Sequence, residues 1–290
     1  MSTRARQYFE RAAIPAASIV LALLVASVLI IASTATETTG LDPARPLTAY
    51  FSLLQGAFGS DKGIMNTIVA GSPLLFTGLA VGIGFKAGLF NIGATGQVLV
   101  GGFGGAMAGA AVADQPVLIA VPVAVIAGAL AGALYGFIPG ALKAFTGAHE
   151  VVTTIMLNAI AAAAISGLVN DVLKITGPTF ARTADVGNAH LPVILGRNLH
   201  AGVLIAMAAV PLTYWLIYRT TLGFEIRTVG ANPSAARYAG MNPRFLTIFT
   251  MSLCGMFAGL AGVLEIVGRV GHYPAVFGTN IGFDGITVAL

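Results

Sequence analysis

The sequence predicts an all-α, multi-pass membrane protein, with about seven to eight helices forming one transmembrane domain over residues 1–290. Hydrophobic residues make up 57% of the chain and charged residues only 9%, whereas soluble globular domains carry about a quarter charged residues. The mean hydropathy of +0.88 agrees with this composition. Because backbone groups in lipid require internal partners, the long uncharged runs of the chain are predicted to be helices.

Seven stretches without Asp, Glu, Lys or Arg reach the length of about 20 residues that crosses a bilayer. The first follows a basic N-terminus, as in a signal peptide. Its apolar run is too long for one and "IASTATETTG" makes a poor cleavage site, so an uncleaved span is predicted. The seven stretches are residues 12–36, 63–85, 87–113, 115–142, 151–170, 198–218 and 245–264.

Basic residues orient these spans, because cytoplasmic loops collect Lys and Arg. Arg4, Arg6 and Arg11 predict a cytoplasmic N-terminus. Alternate crossings then place residues 219–244, with four arginines, in the cytoplasm and residues 37–62 and 171–197 outside. Each external segment is expected to hold a short surface helix, with "PLTAYFSLLQGAF" as the candidate in the first.

Glycine recurs at intervals of four within several spans, as in Gly101/Gly105/Gly109, Gly128/Gly132/Gly136/Gly140 and Gly255/Gly259. Small residues at this spacing let membrane helices approach closely. The repeats therefore predict a compact, tightly packed helix bundle.

Two polar clusters interrupt the apolar runs. In "KAGLFNIGATGQ", Asn91 and Gln97 lie among glycines, which predicts a broken or irregular helix start. In "GAHEVVTTIMLNAI", Glu150, Thr154 and Asn158 follow one another at spacings of four on one helix face. Two interpretations stay open: these side chains line a path for a polar solute, or they hydrogen-bond neighbouring helices.

No catalytic, metal or cofactor site is indicated. "HEVVT" has Thr153 where a zinc protease requires its second histidine, and there is no phosphate-binding G-x-x-x-x-G-K-[ST] loop. The single cysteine, Cys254, excludes a disulfide scaffold. Membrane carboxylates that could couple protons or sodium are few: Glu150 and Asp284 are candidates, while Glu265 is expected to pair with Arg269 four residues later.

The cytoplasmic stretch "NPSAARYAG" predicts a short helix. Asn232 suits the N-cap, Pro233 the first helical position and Gly240 the stop. The helix is expected to present small residues and Tyr238 outward. The alternative is an ordinary connection between spans, whose arginines the orientation rule already explains.

Three motifs carry a family resemblance. "EIRTVGANPSAARYAGMNP" resembles the cytoplasmic coupling loop of permease subunits of bacterial ABC importers, in the group for simple sugars, branched-chain amino acids and nucleosides. "GLFNIGATGQ" resembles the "GxFNIGxEGQ" segment of that group, with Thr95 where the family commonly has glutamate. "HEVVTTIMLN" is similar to its nucleoside and purine branch. The resemblance covers roughly residues 63–290.

The resemblance implies an importer in the bacterial plasma membrane, with two permease subunits, two ATPase subunits and an external lipoprotein or periplasmic solute-binding protein. No nucleic-acid partner is indicated. Residues 232–240 would dock on the ATPase, and the residues implied in coupling are Arg227, Asn232, Ala236, Arg237 and Gly240. The residues implied on or near the solute path are Asn91, Gln97, Glu150, Thr154 and Asn158.

The function expected from these features is a non-enzymatic permease subunit that imports a nucleoside or related small polar solute, using ATP hydrolysed by a partner. A ribose-like sugar as solute, an ATP-independent secondary transporter or channel, a membrane enzyme and a non-transporting scaffold are the alternatives. Residues 282–290 end within an apolar run, whereas members of the family continue with further helices. The chain is therefore expected to be a fragment or a truncated version.

Overall fold

The computed structural model describes residues 3–34, 42–175, 180–196, 198–277 and 280–290. These residues contain eleven α-helices. Two π-helical turns, Leu168–Val172 and Ile266–Val270, extend α6 and α10. The α-helices are α1 (Thr3–Thr34), α2 (Arg45–Phe58), α3 (Asp61–Lys86), α4 (Ala94–Ala111), α5 (Val117–Thr146), α6 (Glu150–Gly167), α7 (Gly202–Arg219), α8 (Thr221–Ala231), α9 (Pro233–Tyr238), α10 (Pro243–Glu265) and α11 (Ile281–Ala289).

Six helices in the described part of the chain are long and apolar enough to cross a membrane, which confirms the all-α, multi-pass prediction. The remaining predicted span, residues 87–113, contains the 18-residue α4. Its first residues are not helical, as the polar cluster there predicted. The six candidate spans are Ala13–Ser33, Asp61–Lys86, Val117–Thr146, Glu150–Val172, Gly202–Arg219 and Pro243–Val270.

Contacts divide the chain into two compact units, Met1–Ile64 and Met65–Leu290. Within the first unit, the Tyr50 hydroxyl on α2 donates to the carbonyl oxygen of Leu23 on α1 at 2.7 Å and lies 3.1 Å from the hydroxyl of Ser27. These bonds satisfy polar groups on otherwise apolar helices. The single domain over residues 1–290 stays a prediction.

The second unit is built around α10, which packs against α5 and α4. Glycines line these contacts, so the backbones meet directly. A Cβ atom on Gly259 would lie 2.7 Å from the Gly128 carbonyl oxygen and 3.0 Å from the Gly132 Cα, while Gly101 and Gly262 face α10 and α4 in the same way. The glycine repeats thus form the helix packing that the sequence predicted.

The two segments predicted to be external differ from each other in structure. Residues 37–62 contain α2, which includes the predicted "PLTAYFSLLQGAF" helix. In 171–197, the described residues form a 3₁₀ turn at Gly187–Ala189 and strand β1 (Val193–Leu195), paired antiparallel with β2 (Leu199–His200). The surface helix expected there is absent from these residues, because Gly187 and Gly196 adopt positive φ angles of 52° and 63° and turn the chain.

Replacing Gly132 by Ala is expected to destabilise the bundle by about 1–3 kcal/mol, because the new methyl group would overlap the Gly255 carbonyl oxygen. Thermal unfolding of the detergent-solubilised protein measures the effect. Gly167→Ala is the matched control, since no atom lies within 4 Å of a Cβ atom at that helical position. Equal melting temperatures for the two variants would contradict backbone-to-backbone packing.

Candidate functional site

The chain breaks between α3 and α4, where Gly88 has a positive φ of 68° and residues 89–91 are not helical. Glycine is required at Gly88 for that conformation and for a second reason. A Cβ atom there would lie 2.9 Å from the carbonyl oxygen of Gly230, near the end of α8. The break therefore touches the predicted cytoplasmic segment directly, a contact that no local sequence pattern indicated.

Two buried amide side chains form hydrogen bonds at the break. Asn91 and Gln97 are each 1% exposed. The Asn91 Nδ2 donates to Gln97 Oε1 at 2.9 Å, and Gln97 Nε2 donates back to Asn91 Oδ1 at 3.3 Å. Asn91 Oδ1 also accepts from the backbone N–H of Gly93 at 3.1 Å. The pair is thus bonded within the protein and supports the start of α4.

Asn158 and Thr154, on α6, face the same break. The Asn158 Oδ1 accepts from the Gly96 N–H at 2.7 Å, and its Nδ2 donates to the Ile92 carbonyl at 3.0 Å. Thr154 is fully buried and its hydroxyl donates to the Glu150 carbonyl oxygen at 2.7 Å. Of the two interpretations left open by the sequence, hydrogen bonding to a neighbouring segment describes the present contacts of Asn158. The Thr154 hydroxyl bonds within its own helix.

Glu150 forms an ion pair with Lys143, whose Nζ lies 2.5 Å from its Oε2. The two side chains are 11% and 32% exposed. This bond joins the end of α5 to the start of α6. Glu150 is thus a paired carboxylate beside the amide cluster, and the structure brings all five predicted path residues to one end of α4 and α6.

Thr95 occupies the position where a carboxylate was expected from the family. Its hydroxyl is buried and has no hydrogen-bond partner among the described residues. Gly282, in the first turn of α11, packs against Thr95 so closely that a Cβ atom would overlap it. A larger residue at Thr95 would need α11 to move.

The predicted cytoplasmic segment, residues 219–244, contains two helices, α8 and α9. Asn232 caps α9 as predicted, because its Oδ1 accepts from the N–H groups of Ser234 and Ala235 at 3.0 Å each. Gly240 has a φ of 84° and follows the helix end. The sequence predicted only α9, although the apolar residues Leu222, Ile226 and Val229 of α8 recur at the helical spacings of four and three.

Exposure on this segment differs from the expectation in one place. Ala236 is fully buried, so the small residues that α9 presents outward are its neighbours, and Ala236 anchors the helix. Tyr238 is 95% exposed and Arg237 is exposed beside it. Arg227 lies over the Tyr218 ring, 5.0 Å from its centroid, and its Nε donates to the Gly223 carbonyl at 3.3 Å.

A separate ionic cluster joins two loops of the second unit. Arg182 Nη1 lies 2.9 Å from both Asp185 Oδ1 and His272 Nδ1. Because a guanidinium only donates, His272 Nδ1 must accept and the ring must be neutral. Burial lowers the pKa of His272 below its ordinary value, Arg182 lowers it further, and Asp185 opposes the shift. The predicted pair of Glu265 and Arg269 is also present, with oxygen–nitrogen distances of 3.2 and 3.1 Å.

Comparison with known proteins identifies related sequences. Residues 63–290 match the family described as "Branched-chain amino acid transport system / permease component". The guanosine ABC transporter permease protein NupP of Bacillus subtilis is 38% identical to this chain, over 84% of the chain and 71% of the relative. The nucleoside ABC transporter permease protein NupB of Lactococcus lactis is 33% identical, over 84% and 70%.

A sugar permease is similarly related. The glucose ABC transporter permease protein TsgB13 of Haloferax volcanii is 34% identical to this chain, over 84% of the chain and 67% of the relative. No solved structure matches the chain. The resemblance found in the three motifs is therefore confirmed at the level of the family.

Replacing Asn158 by Leu is expected to lower the stability of the protein by about 1–3 kcal/mol, because the Gly96 N–H and the Ile92 carbonyl would lose their partner. Thermal unfolding in detergent measures this. Asn170→Leu is the control, since the Asn170 side chain is exposed and bonds to Ser166, one turn earlier. Wild-type stability together with altered solute preference would instead favour contact of Asn158 with solute.

Acidification is expected to loosen the Arg182–His272 contact. The folded-state pKa of His272 lies below the unfolded value of 6.5, so its contribution to stability is full above that pH and is lost as the pH falls through the folded-state pKa. The melting temperature should therefore fall between about pH 8 and about pH 5. His272→Gln, whose amide oxygen still accepts, should weaken this pH dependence, whereas the exposed His149→Gln should leave it unchanged.

Proposed function

Because this chain belongs to the permease component family of branched-chain amino acid transport systems, we propose that it forms the membrane path of an ABC importer for a nucleoside or related small polar solute. The multi-pass helices and the names of its relatives support a transport role. ATP would be hydrolysed by a partner subunit. No Walker-type loop occurs in the sequence given.

The nucleoside class rests on two observations. The segment "HEVVTTIMLN" is similar to that branch of the group, and two relatives are a guanosine and a nucleoside permease protein. A simple sugar is the second candidate, because a glucose permease protein is 34% identical to this chain. The partners proposed are ABC ATPase subunits, a second permease subunit and an external solute-binding protein, in the bacterial plasma membrane with the N-terminus in the cytoplasm.

The contact between Gly88 and Gly230 is the observation that carries the mechanism. The exposed face of α9, with Arg237 and Tyr238, is proposed to dock on the ATPase. The neighbouring α8 touches the chain break through Gly230, with no side chain between the two backbones. Movement of α8 would therefore displace the break and the amides bonded to it. We propose that this displacement breaks the present hydrogen bonds of Asn91, Gln97 and Asn158. Their side chains would then be able to contact the solute.

The rival transport mechanism requires a carboxylate that couples the solute to protons or sodium. Of the candidates, Glu150 is already paired with Lys143 and Glu265 with Arg269. Asp284 is exposed on α11 and is the remaining one named by the sequence. This distribution favours a mechanism whose energy comes from a partner.

Uptake of radiolabelled guanosine and ribose into proteoliposomes tests the proposal. The vesicles would contain the full-length permease with the ATPase and the binding protein encoded beside it. ATP-dependent guanosine uptake that ribose does not compete away supports both mechanism and solute class. Preferred ribose uptake would select the sugar alternative, and uptake that needs neither ATP nor the ATPase would refute the mechanism.

Tyr238→Ala is expected to lower ATP-driven uptake about tenfold, because an aromatic anchor is lost from the proposed ATPase contact. Its side chain is 95% exposed, so folding should be unaffected. Tyr214→Ala on α7 is the control, since that tyrosine is also exposed but lies within a membrane span. Uptake and ATP hydrolysis are measured in the reconstituted complex; equal uptake by both variants would remove α9 from the coupling surface.

A further inference from the structure

A cavity of about 540 Å³ lies within the second unit, between α3, the β1–β2 hairpin and the π-helical end of α10. We call it the outer cavity, because the proposed orientation puts these elements on the external side. Its volume falls in the range of small-molecule sites. The polar side chains of its lining are those of Asn66, His190, Asn198, His200 and Arg269.

The two asparagines offer hydrogen-bonding groups on one wall. Asn198 Nδ2 donates to Asn66 Oδ1 at 2.8 Å, and both side chains are exposed. An amide carries a donor and an acceptor group, so this bond leaves the Asn66 nitrogen and the Asn198 oxygen outside it. The wall therefore presents one donor group and one acceptor group beyond the bond between the two amides.

His200 is a buried polar residue of the lining. It is only 2% exposed, and its Nδ1 has no hydrogen-bond partner among the described residues. Gly268 gives the ring room, since a Cβ atom there would lie 3.0 Å from Nε2. Buried polar atoms without partners are rare in proteins and costly. Such an atom beside a cavity is typical of a group that a ligand or ordered water satisfies.

Burial favours the neutral form of the His200 imidazole in the outer cavity. His190 Nδ1 lies 3.2 Å from the Leu191 carbonyl oxygen and donates to it, because a carbonyl oxygen can only accept. Burial lowers the pKa of His200, and the nearby His190 lowers it further. Protonation of His200 would add a second positive charge to a cavity lining that already includes Arg269.

The charge of Arg269 is compensated. Its guanidinium donates to both carboxylate oxygens of Glu265, at 3.2 and 3.1 Å, and it is the one charged side chain among the lining residues. The outer cavity thus combines several hydrogen-bonding groups with no uncompensated charge. Such a lining favours a neutral polar ligand over a phosphate or a carboxylate, which would need a free cation.

We propose that the outer cavity binds the neutral polar solute on its way to the membrane path, selecting nucleosides over their phosphorylated forms. This site rests on the proposed function and on the proposed orientation. It makes Asn66, Asn198 and His200 solute contacts that precede the amide cluster at the chain break.

The test compares binding with transport. Equilibrium binding of radiolabelled guanosine is measured on the detergent-solubilised complex of permease and ATPase, without the binding protein. Asn66→Leu should weaken guanosine binding about two- to tenfold, the effect of one lost hydrogen bond. In proteoliposomes it should raise the KM for uptake by a similar factor with the maximal rate retained. Guanosine monophosphate should compete poorly with guanosine for the wild-type complex.

Two variants keep the result interpretable. Asn188→Leu is the matched control, because Asn188 is also exposed and bonds to the Gln115 carbonyl at 3.1 Å without lining the cavity. His200→Gln keeps a polar side chain at the buried position. Wild-type guanosine affinity in both Asn66→Leu and His200→Gln would overturn the proposal. It would also be overturned if these variants bound guanosine normally and lost only their affinity for the binding protein.

Different results would refute the proposed transport function and the proposed solute site in the outer cavity. Absence of ATP-dependent guanosine uptake by the wild-type complex refutes the proposed function, whatever the variants do. ATP-dependent uptake by the wild type without any direct guanosine binding in the absence of the binding protein refutes only the outer cavity. Strong competition by guanosine monophosphate would likewise refute its selection of neutral solutes.

Discussion

The need of every backbone polar group in a membrane for a hydrogen-bond partner dominates this structure. The chain is not helical between α3 and α4, so backbone N–H and carbonyl groups there lack helical partners. Side chains must bond to these groups instead. Asn91 accepts from the Gly93 N–H, and Asn158 bonds both the Gly96 N–H and the Ile92 carbonyl. Two distant parts of the sequence are thereby joined at one point, and α6 can be placed only where it reaches the break.

Close backbone contacts at glycines connect the break to the surrounding helices. The backbones of α4, α5 and α10 meet without intervening side chains, and such contacts resist sliding because every small displacement produces overlap. Gly88 and Gly230 form a contact of the same kind at the other side of the break. A displacement of α8 would therefore be transmitted directly to the break. Flexible side chains between the two backbones would instead change conformation and reduce the displacement.

Local signals explain what the sequence predicted correctly. Span positions follow from uncharged runs, the α9 cap from Asn232 and Pro233, and the Glu265–Arg269 pair from its spacing of four. The burial of Ala236, the β1–β2 hairpin and the Gly88–Gly230 contact depend on residues far apart in the chain. A small residue at a close approach and a small residue at a surface look alike in one sequence, so these features could not be predicted.

The same distinction applies to the polar residues. Amide side chains within apolar runs predict a polar site, as at Asn91, Gln97 and Asn158. Each of these amides already has hydrogen-bond partners within the protein. Asn66, Asn198 and His200 lie in ordinary-looking segments, and the structure gives His200 Nδ1 no partner among the described residues. Since a ligand gains free energy only from groups that the protein has not already satisfied, hydrogen-bonding capacity left over after folding is a better guide to binding than polarity in a hydrophobic run. By that criterion the outer cavity is the proposed solute site of the present conformation, and the amides at the break are proposed to bind solute only after α8 has moved.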